Sequence, residues 1–123
     1  MISETVVKKN VAPLAIEYCE TKYPQTTDEF KKIQEEMYLT FCKKQMNYGP
    51  ANISVGTPLE TDSDVKLSLT GLWFRINDKV QRLKQLVVLG VSDQVGESIQ
   101  DTYEDLSVYG IIAQIVSRGK WGK

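Results

Sequence analysis

A chain of 123 residues with a formal net charge of −1 and no histidine is long enough for one domain with a real core and too short for two. Without histidine, a Ser-His-Asp triad, a Cys-His pair and zinc catalysis are excluded, and only carboxylates remain to hold a metal, which favours magnesium or manganese. The near-neutral balance argues against binding long nucleic acid, so any anion site must be local. No apolar run is long enough to span a bilayer, and the start, MISETVVKKNVAP, lacks the apolar block of a signal peptide. A cytoplasmic location without membrane contact is expected.

In chain order, a short helix is expected over residues 13–21, with Leu14 and Tyr18 inward and Pro13 in its first turn. Tyr23-Pro24 breaks it. Thr26 and Glu29 have the spacing of a capping box, and Phe30, Ile33, Met37 and Phe41 recur at helical spacing, which predicts a first long helix over 26–46. Asn47-Tyr48-Gly49-Pro50 stops it. Cys19 and Cys42 fall within these apolar patterns and read as reduced packing residues rather than a crosslink.

Residues 48–64 show no clear period and carry breaks at Pro50, Gly56 and Pro58. A connection of that length either serves function, by closing over a ligand, or is disordered. A second long helix is expected over 65–89, with Leu69, Leu72, Trp73, Ile76, Val80, Leu83 and Val87 as its buried stripe and Gly90 as its end.

The third long helix is expected to start at Gly96 or Glu97, with Ile99, Tyr103, Leu106, Gly110 and Ala113 as its apolar face. Its other face begins acidic, with Glu97, Asp101, Glu104 and Asp105, and continues as Val108, Ile112 and Ile115. The second half is therefore apolar nearly all round, and its back must meet another helix or a second subunit. Trp121 in the tail also calls for a partner surface. The expected architecture is one all-α domain over 1–123, an antiparallel bundle of three long helices plus the short one. It should be a homo-oligomer, because so few helices leave more apolar surface than they cover.

Two charged stripes carry the functional signal. Arg75, Lys79 and Arg82 share one helix face, with Asp78 in reach of both arginines, and guanidinium forks suit phosphate oxygens. The plainer reading is a solvated face of weak helix ion pairs. Glu97, Asp101 and Asp105 share a face at successive turns, where they either hold a metal or pair with the basic stripe. At the end of the first long helix, Lys44, Asn47 and Tyr48 either form a simple helix stop or offer a phosphate contact and a ring on which a base stacks. Trp73, Phe74 and Tyr103 read as core, and Glu35-Glu36 as solvent-facing.

The runs Lys44-Gln45-Met46-Asn47-Tyr48-Gly49, Arg75 to Leu83 and Glu97 to Tyr109 resemble, in order and over residues 30–116, the nucleotide modification associated domain of phages and bacteria. That resemblance implies a small helical domain linked to nucleotide metabolism, acting in the host cytoplasm if phage-encoded, with no assigned reaction. More remotely, the architecture is similar to the all-α MazG-like and dimeric dUTPase-like pyrophosphatases. Those enzymes use acidic pairs on two helices to hold magnesium; here the earlier helix offers Arg75, Asp78, Lys79 and Arg82 instead.

Two function classes follow, with a third behind them. The first is a binding protein that sequesters a nucleotide or nucleotide-derived, cyclic or linear, immune signal, with Lys44, Asn47, Tyr48, Arg75, Asp78, Lys79 and Arg82 as ligand contacts, no cofactor and no catalytic residue. The second is a magnesium-dependent nucleoside triphosphate pyrophosphohydrolase with Glu97, Asp101 and Asp105 as metal ligands. The third is a scaffold that binds another protein through the last helix.

Overall fold

The computed structural model describes residues 4–123, with side chains from Ala12 onward. The described residues form helices and no strands: α1 Glu4–Lys22, α2 Pro24–Tyr48, α3 Ala51–Ser54, α4 Asp62–Leu83 running on into a π-helical turn Lys84–Val88, and α5 Ile99–Ser117. They divide into two compact units, Met1–Leu39 and Thr40–Lys123.

In the first unit, α1 is far longer than the expected short helix, and Pro13 lies inside it rather than in its first turn. Helix α2 opens at Pro24, where a missing N–H costs nothing, so Thr26 sits within the first turn and caps nothing. The Thr27 hydroxyl instead donates back to the carbonyls of Tyr23 and Pro24, 3.2 Å from each. Leu14, Tyr18, Phe30 and Ile33, expected inward, are exposed. Two helical segments by themselves cannot close a core. The Lys31–Glu20 pair at 3.0 Å is solvated on both sides and contributes at most about 1 kcal/mol. Cys19 is exposed and Cys42 half-buried, both as free thiols, so only Cys42 has a packing role.

The second unit is built on the α4–α5 pair. Thr61 Oγ1 accepts the Asp64 N–H at 3.1 Å and Ser98 Oγ accepts the Asp101 N–H at 3.0 Å. These N-caps set both helix starts a few residues away from the expected positions. Gly90, at φ +69°, follows the π-helical turn and ends the helix where expected. The pairs Arg82–Thr102, Lys79–Asp105 and Arg75–Tyr109 run in opposite numerical directions, so the two helices are antiparallel.

The connection over residues 48–64 is neither open nor structureless. Helix α3 lies in its middle, with Ile53 and Ser54 buried. Two of its carbonyls and that of its N-cap Pro50 accept from side chains: Trp121 Nε1 donates to Pro50 O at 3.0 Å, an Arg75 Nη to Asn52 O at 2.9 Å, and Ser68 Oγ to Ile53 O at 2.6 Å. A four-residue helix has too few internal bonds to satisfy its own carbonyls, so these donors stabilise it. Leaving α3, Val55 takes a left-handed φ of +56° that a β-branched residue tolerates poorly. Val55→Gly is expected to raise stability by about 0.5–1 kcal/mol, read as a higher thermal midpoint. An unchanged or lower midpoint would show that the Val55 side chain packs usefully.

The core consists of Ile53, Leu72, Ile112, Val116 and Trp121, with Phe41, Val108 and Ile115 packed against it. The back of α5 thus meets residues of its own chain, and Trp121 packs edge-on against Phe41 with ring centroids 6.1 Å apart. Of the two alternatives that the sequence left open, another helix of the chain or a second subunit, both features take the first.

The larger correction concerns which faces point inward. Along α4 the inward line is Ser68, Leu72, Arg75, Lys79 and Arg82; along α5 it is Thr102, Asp105, Tyr109, Ile112 and Val116. The expected apolar stripes lie one residue, about 100°, around from these lines. Of those stripes Leu72 is buried as expected and belongs to the inward line, Leu69, Ile76, Leu83, Leu106, Gly110 and Ala113 are half-buried, and Trp73, Val80, Val87, Ile99 and Tyr103 are exposed, as is Phe74 beside them. The charged stripes face each other because they neutralise one another there, with Thr102 accepting from Arg82 at one end and Ser68 at the other end of the α4 line donating to Ile53 O of α3.

Candidate functional site

The two charged stripes form one network between α4 and α5. Lys79 Nζ lies 3.0 Å from Asp105 Oδ2 and 3.3 Å from Glu97 Oε1. Arg82 Nε donates to the Thr102 hydroxyl at 3.1 Å, a second Arg82 nitrogen to the Glu97 carbonyl, and its guanidinium lies 3.6 Å from Asp93. Thr102 is fully buried, so the Arg82 donor satisfies a hydroxyl that water cannot reach.

Of the acidic stripe, Glu97 and Asp105 converge on Lys79, whereas Asp101 is exposed and enters no ion pair among the described residues. Glu97 precedes the N-cap Ser98, so it reaches Lys79 from the loop and not from a helix turn. No group of three or more potential metal ligands occurs among the described residues. An ammonium stands where a cation between Glu97 and Asp105 would stand.

The carboxylate of Asp105, hydrogen-bonded to Lys79, raises that ammonium's pKa above 10.5 against a smaller opposing effect of desolvation, with Glu97 adding to the rise. A raised folded pKa means the pair stabilises the fold fully below pH 10.5 and progressively less as pH climbs through the folded value. Urea midpoints measured from pH 9 upward should therefore fall more steeply in wild type than in Lys79→Gln above about pH 10.5. Parallel curves would show that the pair contributes nothing.

Beside this network lies a cavity of ≈ 320 Å³, within the range of small-molecule sites. Its walls come from four elements: Phe41, Lys44, Gln45 and Tyr48 of α2, Asn52 and Ile53 of α3, Arg75 of α4, and Asp105, Val108, Tyr109 and Ile112 of α5. Larger hollows, of ≈ 450 Å³ along α4 and ≈ 380 Å³ beside Trp121, are shallower and carry fewer charged groups. The Arg75 guanidinium stands 6.0 Å over the Tyr109 ring. One of its nitrogens is fixed by Asn52 O, which holds the guanidinium plane in place and leaves other N–H groups for a ligand. Lys44 Nζ is 3.4 Å from Asp105 Oδ1, a long contact on a half-exposed side chain that an incoming anion can replace. Asn52 Oδ1 is buried without a donor, a costly arrangement that a ligand or water donor would relieve after a small side-chain rotation.

The structure thus gathers Lys44, Tyr48 and Arg75 around one cavity and leaves Lys79 and Arg82 in the ion network beside it. Asn47 and Asp78 are exposed and line neither. Phe41, Asn52 and Tyr109 escaped the sequence reading as site residues. Tyr109 is detectable by its spacing from Asp105, i to i+4, on the inward line of α5; Asn52, in a stretch without period, gives no such signal.

No family model, no curated protein and no solved structure matches this chain. Among the described residues no helix is long and apolar enough to cross a membrane.

Proposed function

We propose that the chain binds a nucleotide or nucleotide-derived small molecule in the α2–α3–α4–α5 cavity and holds it without chemistry. The observation that carries this reading is the meeting of two cations, Lys44 and Arg75, with three aromatic rings, Phe41, Tyr48 and Tyr109, around one hollow. A nucleotide asks for that combination, with rings against the base and cations against phosphate. The resemblance of the Lys44 to Gly49, Arg75 to Leu83 and Glu97 to Tyr109 runs to the nucleotide modification associated domain supports the same ligand class. In this reading the protein is a phage-type sequestering protein, a homo-oligomeric antiparallel bundle acting in the host cytoplasm.

The pyrophosphohydrolase alternative needs Glu97, Asp101 and Asp105 to gather around magnesium. The position of Lys79 between two of them and the exposure of Asp101 favour the binding reading over it.

The test is to incubate the protein with linear and cyclic nucleotides, with and without magnesium, remove unbound material, denature, and identify what is released by mass spectrometry. Recovery of intact ligand in near-stoichiometric amount is the expected result. Monophosphate and pyrophosphate accumulating only with magnesium, in the unbound fraction as well as the released one, would establish the hydrolase instead, and neither retained ligand nor cleavage product under any condition would sink both.

A further inference from the structure

Helices α4 and α5 each carry two lines of side chains. One line faces the sister helix. The other, Leu69, Trp73, Ile76, Val80 and Leu83 on α4 with Ile99, Tyr103, Leu106, Gly110 and Ala113 on α5, alternates steps of four and three residues, the spacing of a helix-packing seam. On both helices the second line follows the first by one residue, about 100° around the axis. Because the helices are antiparallel, that rotation is opposite in sense on the two, and both second lines emerge on the same side of the pair. The result is one continuous apolar face without a charged residue in either line.

From the exposures of Trp73 at 57%, Val80 at 44%, Tyr103 at 45% and Ile99 at 37%, with smaller parts of their half-buried neighbours, this face presents on the order of 600 Å² of apolar surface. That is at the top of the range of about 300–600 Å² for the largest apolar patch of a monomer, and it approaches the roughly 800 Å² per partner of a stable interface. A right angle between seams is also what each helix of a square four-helix bundle requires.

We propose that this face binds a second copy of the chain. The two-fold axis runs along the α4–α5 pair and sets each α4 against the partner subunit's α5 in an antiparallel four-helix bundle. A two-fold interface brings each surface against its own copy, which an uncharged seam tolerates and a charged one does not. The relief of the face also matches itself under this operation. The register of Arg75 with Tyr109 places Gly110 beside the level of Trp73. A Cβ added at Gly110 would meet no atom within 4 Å, so the helix has a hollow there where the indole stands proud. A two-fold axis parallel to the helices preserves that level and seats Trp73 of each copy over the partner's hollow. The open groove along α4 lined by Val65, Leu69, Thr70 and Trp73, with Asp62 and Lys66 beside them, gives the incoming helix room. This surface is separate from the nucleotide cavity and does not depend on that reading.

The experiment is to measure solution mass at micromolar to tens-of-micromolar concentration by sedimentation equilibrium, with circular dichroism as the fold control. Wild type should have twice the 13.9 kDa chain mass. Trp73→Glu and Gly110→Phe should each weaken association at least about 100-fold with helicity unchanged, since neither fills or empties space inside the single chain. Gly110→Phe combined with Trp73→Ala should regain dimer, because the new ring enters the space the indole vacates. A wild-type protein of single-chain mass overturns the proposal, including the case in which Trp73 emission is nonetheless blue-shifted, which would assign the face to another segment of this chain. A Gly110→Phe protein that stays dimeric overturns the arrangement of the two copies.

Discussion

Replacing Trp121 with alanine should destabilise the second unit by about 3–5 kcal/mol. The indole is 7% exposed, closes the core formed by Ile53, Leu72, Ile112 and Val116, and meets Phe41 edge-on. Its N–H also supplies a donor to the Pro50 carbonyl at the entry to α3. Truncation would open a large void and remove one of the three donors to that carbonyl, which keeps the N–H groups of Ile53 and Ser54, and both losses act on the same short helix. Urea denaturation followed by circular dichroism measures the effect, and the variant should lose ligand retention together with stability, because Phe41, Asn52 and Ile53 line the cavity. A loss below about 1 kcal/mol would mean that the C-terminal turn is peripheral, which its burial argues against.

Asp105→Asn separates the two functional readings. Its carboxylate stands between Lys44 and Lys79 at the cavity wall and repels any phosphate that enters. At about 5 Å and an effective dielectric constant of about 20, that repulsion is on the order of 3 kcal/mol before screening. Neutralising it frees Lys44 for the ligand, and a several-fold to tenfold gain in nucleotide affinity is expected, at a stability cost of about 1 kcal/mol. Arg75→Ala should act in the opposite direction, with a loss of tenfold or more, since it removes a charged donor and releases the Asn52 carbonyl together. Calorimetric titration with the nucleotide that the protein retains reads both. If Asp105→Asn instead loses affinity and magnesium-dependent turnover in parallel, the carboxylate is a metal ligand and the hydrolase reading replaces the binding one.

The sequence by itself determined the helical class, the ends of the long helices to within a few residues, and the grouping of charged residues into stripes. Each of these follows from local physics: a 3.6-residue period, Gly90 as a stop, and carboxylates and guanidiniums recurring at whole turns, whereas the N-caps Thr61 and Ser98, which move both helix starts by a few residues, became visible only in the structure. Periodicity identifies which residues share a face and is silent about what that face meets. Only the tertiary structure decided that Arg75, Lys79 and Arg82 face α5 while Trp73 and Val80 face away. That outcome depends on Asp105, Glu97 and Thr102, which lie 15 to 30 residues further along and neutralise the basic line across the helix pair. Burial of α3 was equally illegible beforehand. Its stability comes from donors on Ser68, Arg75 and Trp121, remote in sequence, and not from the propensities of Ala51 to Ser54 themselves. The cavity follows from the same closure: Lys44, Asn52, Arg75 and Tyr109 belong to four helices, and nothing local sets their distances.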